Sequence, residues 1–306
     1  MDNRRDHAAA RDGAMDRRLL ASAALNVAIT LAEFFGGLLS GSLALISDAA
    51  HNLGDVAVVA LALWARRLSR RPPTARHTYG FKRGEVIAAL VNAFALIGLS
   101  LLIGREALGR LLRPTAVDRG LMLAVALVAL AANVGSMLLL RRHEEDDVNV
   151  RSAFLHMAQD ALASLIVVAA ALLAHTAVGP YLDPVAALIV VFAVLRSALS
   201  LVWETFSTLL EGAPAGVDLE TLVQEVKEAF PLVTLHHVHL WQIGPGQRLL
   251  TAHVGLGENL DGRTIETLFG EVKAFLHDRW RVAHATLEPE VEGCGQSGML
   301  ESWRQP

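Results

Sequence analysis

Six stretches of this chain are apolar over about 20 residues, the length an α-helix needs to cross the roughly 30 Å hydrocarbon core of a bilayer. They run Leu19–Leu39, Leu43–Trp64, Val86–Leu108, Leu121–Leu140, Ala153–Ala174 and Pro184–Thr205. Inside hydrocarbon every backbone N–H and C=O must be satisfied within its own segment. The expected fold is therefore an α-helical membrane protein with six transmembrane helices. Composition agrees: 53% of residues are hydrophobic but only 6% aromatic, an aliphatic excess over the roughly 45–50% apolar content of soluble domains. The net charge of -4 offers no basic surface for nucleic acid. The single cysteine, Cys294, excludes a disulfide framework within the chain.

Residues 1–18 read as a polar cytoplasmic tail. The apolar segment that follows lacks a cleavage signature, so it reads as a first membrane helix and not as a cleaved leader. Residues 19–210 hold the six spans. Basic residues set the orientation. Arg4, Arg5, Arg11, Arg17 and Arg18 precede the first span. Arg66, Arg67, Arg70, Arg71, Arg76, Lys82 and Arg83 follow the second, and Arg141, Arg142 and Arg151 follow the fourth. The connections at Ser40–Ser42 and Val178–Asp183 hold none, with Arg110, Arg113 and Arg119 a mild exception between the third and fourth spans. The bias puts both termini in the cytoplasm.

Residues 211–296 differ in character. Glu211-Gly-Ala-Pro-Ala-Gly-Val is a turn-rich linker. Asp218 to Phe230 reads as an amphipathic helix capped by Asp218. Val233–Ile243 and Arg248–Leu256 read as strands flanking Gly244-Pro-Gly-Gln247, a hairpin signal. Arg263–Arg279 is a second helix and Arg281–Leu287 a third strand. The order α-β-β-α-β predicts a small cytoplasmic α+β domain with both helices on one sheet face; residues 297–306 form a C-terminal tail. Simple alternation along the first strand puts His237 and His239 on one side and His236 on the other.

The second and fifth spans each carry a His-x-x-x-Asp pair: His51 with Asp55, and His156 with Asp160. At i and i+4 both members project from one helix face. Aspartate at the centre of a membrane helix costs about 2.5–3.5 kcal/mol to insert, and Asp48, Asp55 and Asp160 all sit there. A divalent cation offsets that cost, since apparent zinc affinity at closed sites reaches roughly 10 kcal/mol or more. Two imidazoles and two carboxylates suit tetrahedral Zn2+; Co2+, Cd2+ and Ni2+ fit less decisively, and without thiolate there is no selection for Cu(I). The competing reading is interhelical hydrogen bonding, and the paired spacing argues against it. Asp48 and Asn52 read as support for the site, with direct ligation by Asp48 the alternative. Asn26, Glu33, Asn133 and Gln159 either line an aqueous path or bond between helices.

Leu43-Ala-Leu-Ile-Ser-Asp-Ala-Ala-His-Asn-Leu-Gly-Asp55, His77-Thr-Tyr-Gly-Phe-Lys-Arg-Gly-Glu-Val-Ile-Ala-Ala-Leu90 and His156-x-x-x-Asp160 resemble the second, third and fifth helices of the cation diffusion facilitators. Leu209-Leu-Glu-Gly-Ala-Pro214, His236-His-Val-His-Leu-Trp241, Leu250-Thr-Ala-His-Val254 and Val282-Ala-His-Ala-Thr-Leu-Glu288 resemble that family's cytoplasmic domain. The resemblance implies a homodimer in the membrane, bacterial inner membrane for the exporters it is most similar to, with a ferredoxin-like, metallochaperone-like domain. It implies zinc export against protons, with His51, Asp55, His156 and Asp160 matching the transport site, and His51 at a position associated with preference for zinc over cadmium. It further implies a domain metal site at His236, His253 and His284, to which Glu290 and Cys294 are candidate additions, against ordinary surface histidines. His77 is the one candidate ligand in the loop after the second span. Arg83 and Glu211 match a junction where the family has a salt bridge, two solvated charges being the alternative.

Metal binding needs neutral imidazole and ionised carboxylate, so zinc entry displaces protons, and free histidine titrates near ~6.5. An antiporter follows if only the zinc-loaded and proton-loaded forms reorient. A membrane metal sensor without transport is the alternative. An intramembrane hydrolase needs an open coordination position, which four protein ligands close.

Overall fold

A computed structural model describes residues 24–140, 148–257, 260–290 and 299–300. The apolar part is helical throughout. The helices are α1 (Ala24–Ser40), α2 (Leu43–Ser69), α3 (Gly84–Leu112), α4 (Arg119–Leu140), α5 (Val148–Leu173) and α6 (Gly179–Leu209). Helices α2 to α6 are each long and apolar enough to cross a membrane, and α1 is described only from Ala24. Several overrun the apolar stretches, because a helix ends where backbone capping stops it and not where hydropathy falls. Thus α6 begins five residues before Pro184, at Gly179, and α5 begins at Val148, before Ala153.

The described residues form two compact units, one from the chain up to Ala60 with Val91–Ser200, the other from Leu61–Leu90 with Leu201 onward. In the first, small side chains set the packing. Ala44 and Leu45 of α2, Met122 and Ala126 of α4, Val167 and Ala171 of α5, and Ala187 of α6 share one buried cluster. Gly36 and Gly54 let side chains of neighbouring helices seat on the helix backbone: a Cβ at Gly36 would meet a Val125 methyl at 2.7 Å and one at Gly54 a Leu96 methyl at 2.5 Å.

One carboxylate ties this end of the bundle together. Asp183, 5% exposed near the start of α6, accepts from Ser42 Oγ at 2.5 Å, Leu43 N at 2.9 Å and Ala44 N at 3.2 Å. The first N–H groups of any helix lack partners within it and favour negative charge. Here the cap of α2 comes from another helix 140 residues away.

In the second unit, α7 (Leu219–Ala229), β1 (Val233–Gln242), β2 (Arg248–Leu256), α8 (Gly262–Trp280) and β3 (Val282–Glu290) build a three-stranded sheet in the order β1-β2-β3. Strands β1 and β2 are antiparallel, and β3 lies parallel to β2, reached through α8. Leu222 and Val226 of α7 and Phe269, Val272 and Leu276 of α8 bury against Leu235, Leu240, Leu250, Val254 and Val282 of the strands. Asp218 and Asp261 cap the two helices, each accepting backbone N–H groups of its first turn. The hydroxyl of Thr264, then the N–H groups of Thr264 and Arg263, hold the Asp261 carboxyl below the usual carboxylate range.

Two expectations about the strands need correction. Strand β3 runs on to Glu290, past Leu287. Pro289 does not stop it, because β3 is an edge strand where a missing N–H costs no ladder bond. On β1, alternation fails at His237. The β1–β2 register slips between His236 and His239, and His237 adopts φ 47°. That bulge inserts an extra residue, so Leu235 before it and Val238 and Leu240 after it all face the core. His236 opposite His253 and His239 opposite Thr251 consequently share the other face.

Asp183→Ala should strip the N-terminus of α2 of its acceptor. We expect loss of roughly 1.5–3 kcal/mol or more, the cost of hydrogen bonds to a charged group, with Asp183→Asn intermediate. Thermal unfolding of the purified protein in detergent measures it.

Candidate metal sites

Helices α2 and α5 bring the two His-x-x-x-Asp pairs into one row. His51 Nε2 lies 3.8 Å from Asp55 Oδ2. Asp55 Oδ2 lies 3.7 Å from His156 Nε2, and His156 Nε2 lies 3.5 Å from Asp160 Oδ2. The link between Asp55 and His156 crosses between the two helices, which side chains at i and i+4 on each helix make possible. These separations are too long for strong hydrogen bonds. Consecutive donors come near the roughly 3.3–3.6 Å that bonds of about 2.0–2.2 Å in a tetrahedron impose. No three of the four ligand atoms lie within 4.8 Å of one another, so the row is more open than a closed tetrahedral site. Asp55 Oδ2 and both Asp160 oxygens are buried acceptors without a hydrogen-bond donor. Buried acceptors of that kind are costly unless a cation or proton answers them. The side chains of His51, Asp55 and His156 are 25%, 34% and 33% exposed, that of Asp160 0%, so the row has one open side. A cavity of about 720 Å³ reaches it, lined by His51 and Gln159 together with Ala163, Val194, Arg196 and Ser200.

The supporting residues lie behind the row. Asp48 is 1% exposed and Asn52 0%. Asn52 Nδ2 donates to Glu33 Oε2 of α1 at 3.0 Å. Asn133 Nδ2 reaches Ser164 Oγ at 3.4 Å. Glu33 is fully buried, and its place beside Asn52 could not be read from a single apolar span. The one signal was the presence of a carboxyl in such a span at all.

The second unit holds a tighter group. Glu290 Oε2 is 2.8 Å from His236 Nε2, and Glu290 Oε1 is 2.6 Å from His253 Nδ1. Ligand atoms of His236, His253 and Glu290 all fall within 4.8 Å of one another, the one such three-residue group among the described residues. Cross-strand pairing opposes His236 to His253, and the run of β3 to Glu290 completes the set. The bulge adds His237, whose ring centroid lies 4.8 Å from that of His253, and Glu288 Oε2 lies 3.8 Å from His253 Nε2. His284 is exposed and pairs with Leu249, four residues along β2 from His253, so the fold does not bring it into the group. Cys294 lies outside the described residues. His77 sits on an exposed turn with its ring stacked on Phe81, in no three-ligand group among the described residues. Arg83 Nη2 lies 2.7 Å from Glu211 Oε1, with side chains 38% and 60% exposed, a setting in which an ion pair contributes about 0–1 kcal/mol.

A region of long apolar helices carrying a row of histidine and aspartate side chains, followed by a small α+β domain, is the architecture of a multi-pass membrane protein. The chain belongs to the cation diffusion facilitator family: the family model described as the cation efflux transmembrane domain matches residues 19–210. This is a family of transporters and not of enzymes. Among its relatives, the zinc transporter ZitB of Escherichia coli (strain K12) is 39% identical over 280 residues, 91% of this chain and 88% of that protein. The metal cation efflux system protein CzcD of Cupriavidus metallidurans is 33% identical over 285 residues, 93% and 90% of the two chains. The cadmium, cobalt and zinc/H(+)-K(+) antiporter of Bacillus velezensis is 31% identical over 281 residues, 91% and 90% of the two chains.

If the His236–His253–Glu290 group holds a metal, the full-length protein in detergent binds zinc beyond the intramembrane equivalent. His236→Ala with His253→Ala should remove that increment while leaving transport in place. Equilibrium dialysis with zinc analysis reads the stoichiometry; an unchanged stoichiometry would mean the three side chains bind no metal.

Proposed function

We propose that this metal-cation efflux transporter moves Zn2+ out of the cytoplasm in exchange for protons, with His51, Asp55, His156 and Asp160 as the ligands of the transported ion. The observation that carries the reading is the row of donors shared between α2 and α5, spaced 3.5–3.8 Å apart. Two imidazoles and two carboxylates offer the donor set zinc prefers. Names of relatives that specify zinc, or cadmium, cobalt and zinc, support the same class of cargo. Cd2+ and Co2+ are the expected competitors, and Ni2+ the weaker one.

The row acts by exchange. Each imidazole must be neutral and each carboxylate ionised before zinc can be held, so zinc and protons compete for the same donors. The ion enters from the aqueous cavity that reaches His51 and Gln159. With zinc bound, the two negative charges of Asp55 and Asp160 are balanced by the ion, and the cost of keeping those charges in hydrocarbon falls. With protons bound, the same balance is met differently. The intermediate state, with neither, leaves the carboxylates uncompensated, and that penalty disfavours reorientation of the empty, charged site. This asymmetry is what couples the two fluxes.

The working unit in this reading is a homodimer with both termini in the cytoplasm, in the inner membrane of a bacterium. Its domain histidines provide a second, regulatory place for zinc. Arg83 and Glu211 form an exposed ion pair between the segment after α2 and the linker, within the second unit. A sensor without transport is the rival class, and movement of zinc across liposomes by the purified protein separates the two.

Inside-out vesicles should take up zinc faster when their lumen is more acidic than the bath, and collapse of the gradient should remove the increment. His51→Ala and Asp160→Ala should each abolish uptake in protein that remains folded by size-exclusion chromatography. Retained uptake in either variant takes that residue out of the site. Uptake indifferent to the gradient excludes proton exchange.

A further inference from the structure

Two carboxyl groups lie behind the zinc row without belonging to it. Glu33 of α1 is 0% exposed and Asp48 of α2 is 1% exposed. The two carboxyl groups lie close enough to repel each other when both are ionised. An ionised carboxylate has no hydrogen to donate, and two carboxyls that share one buried site do not both stay ionised without a cation. The surroundings are arranged for a proton. Asn52 Nδ2 donates to Glu33 Oε2 at 3.0 Å, and Ser164 of α5 hydrogen-bonds to Asp48. Glu33 Oε1, Asp48 Oδ1 and Asn52 Oδ1 are left as buried acceptors with no donor. Asn52, itself 0% exposed, thus presents an unpartnered oxygen beside two acceptor-only groups, and a hydrogen is what the group lacks. The charges acting on the pair from neighbouring helices are negative as well. Asp160 of α5 acts on both carboxyls through space, and from α4 the contribution is the uncharged Asn133, bonded to Ser164.

We propose that Glu33, paired with Asp48, is a binding site for the counter-proton, separate from the ligands that hold zinc. The inference rests on the proton-exchange reading given above and specifies where a proton is carried. With the row empty of zinc, one proton bridges the two carboxyls and leaves a single negative charge between them. When Zn2+ arrives beside Asp160, its double positive charge favours the ionised form of nearby carboxyls. The bridging proton then leaves for water on the side to which the row is open, and both carboxylates stay ionised until zinc departs. Return of a proton after release restores the bridge. No bond other than O–H is made or broken. Among the described residues the hydrogen bond of Glu33 is to Asn52 and not to any of the four zinc ligands, so its replacement need not disturb zinc coordination.

Glu33→Gln tests this in the full-length protein reconstituted into liposomes. Glutamine matches the shape, donates its own N–H to Asp48 and cannot release a proton. Three readouts are compared with radioactive zinc as the probe: binding in detergent, zinc-for-zinc exchange without a pH gradient, and net uptake with an acidic lumen. The expected result is binding and exchange retained, with the stimulation by the gradient reduced, since the donors of the row still exchange their own protons. Glu33→Asp, which keeps a carboxyl, should recover stimulation. Wild-type stimulation in Glu33→Gln would overturn the proposal. Loss of zinc binding in folded Glu33→Gln would also overturn it, because Glu33 would then serve the zinc row itself. Absence of stimulation in the unaltered protein would instead overturn proton exchange altogether, a distinct failure seen before any variant is made.

Discussion

Polar side chains in hydrocarbon must answer one another, and the transmembrane half of this protein is arranged by that requirement. The Asp55 carboxylate of α2 faces His156 of α5, and Asp160 sits at the closed end of the same row with its side chain 0% exposed. Behind it Glu33, Asp48, Asn52 and Ser164 complete a polar seam through α1, α2 and α5. At one end of the bundle Asp183 does the same for backbone N–H groups, meeting the donors at the start of α2. Around the seam the helices approach closely through alanines and glycines, which lets side chains as short as aspartate bridge between them.

The two groups of histidine and carboxylate side chains differ in how they are held, in a way that would suit different tasks. In the membrane the donors are 3.5–3.8 Å apart and unsatisfied, open to a cavity on one side. In the domain Glu290 is already hydrogen-bonded to both histidines at 2.6 and 2.8 Å, and the set is fastened to three paired strands. A cargo site has to let go, and side chains on separate helices, three of them partly exposed, would be suited to that. A site that reports or stabilises has no such need, and strand pairing holds its ligands where a small shift would break the sheet. The metal would replace hydrogen bonds in the domain, whereas in the membrane it would answer charges that have no other partner.

Much of this was legible along the chain. The spans follow from apolar length, and the i, i+4 spacing put His51 with Asp55 and His156 with Asp160 on common faces before any packing was known. Asp218 as a helix cap and the Gly244–Gln247 turn between β1 and β2 are local chemistry, and the structure has both. The bulge at His237 was not legible, because alternation along a strand is an average rule and an inserted residue shows only against its partner strand. It reversed the expected facing of His239 relative to His236. The continuation of β3 through Pro289 depended on β3 being an edge, a fact of sheet order.

By itself the sequence determined that this is a bundle of membrane helices with a small α+β domain, and that two of the helices carry a His-x-x-x-Asp pair on one face. Local periodicity and the cost of charge in hydrocarbon are properties of a segment and need no partner to be read. Only the tertiary structure decided which carboxyl meets which. It set Asp183 under the start of α2, Glu33 against Asp48, and Glu290, not His284, beside His236 and His253. Those pairings join residues far apart in the chain, and their geometry depends on helix crossing and strand register, which no single segment encodes.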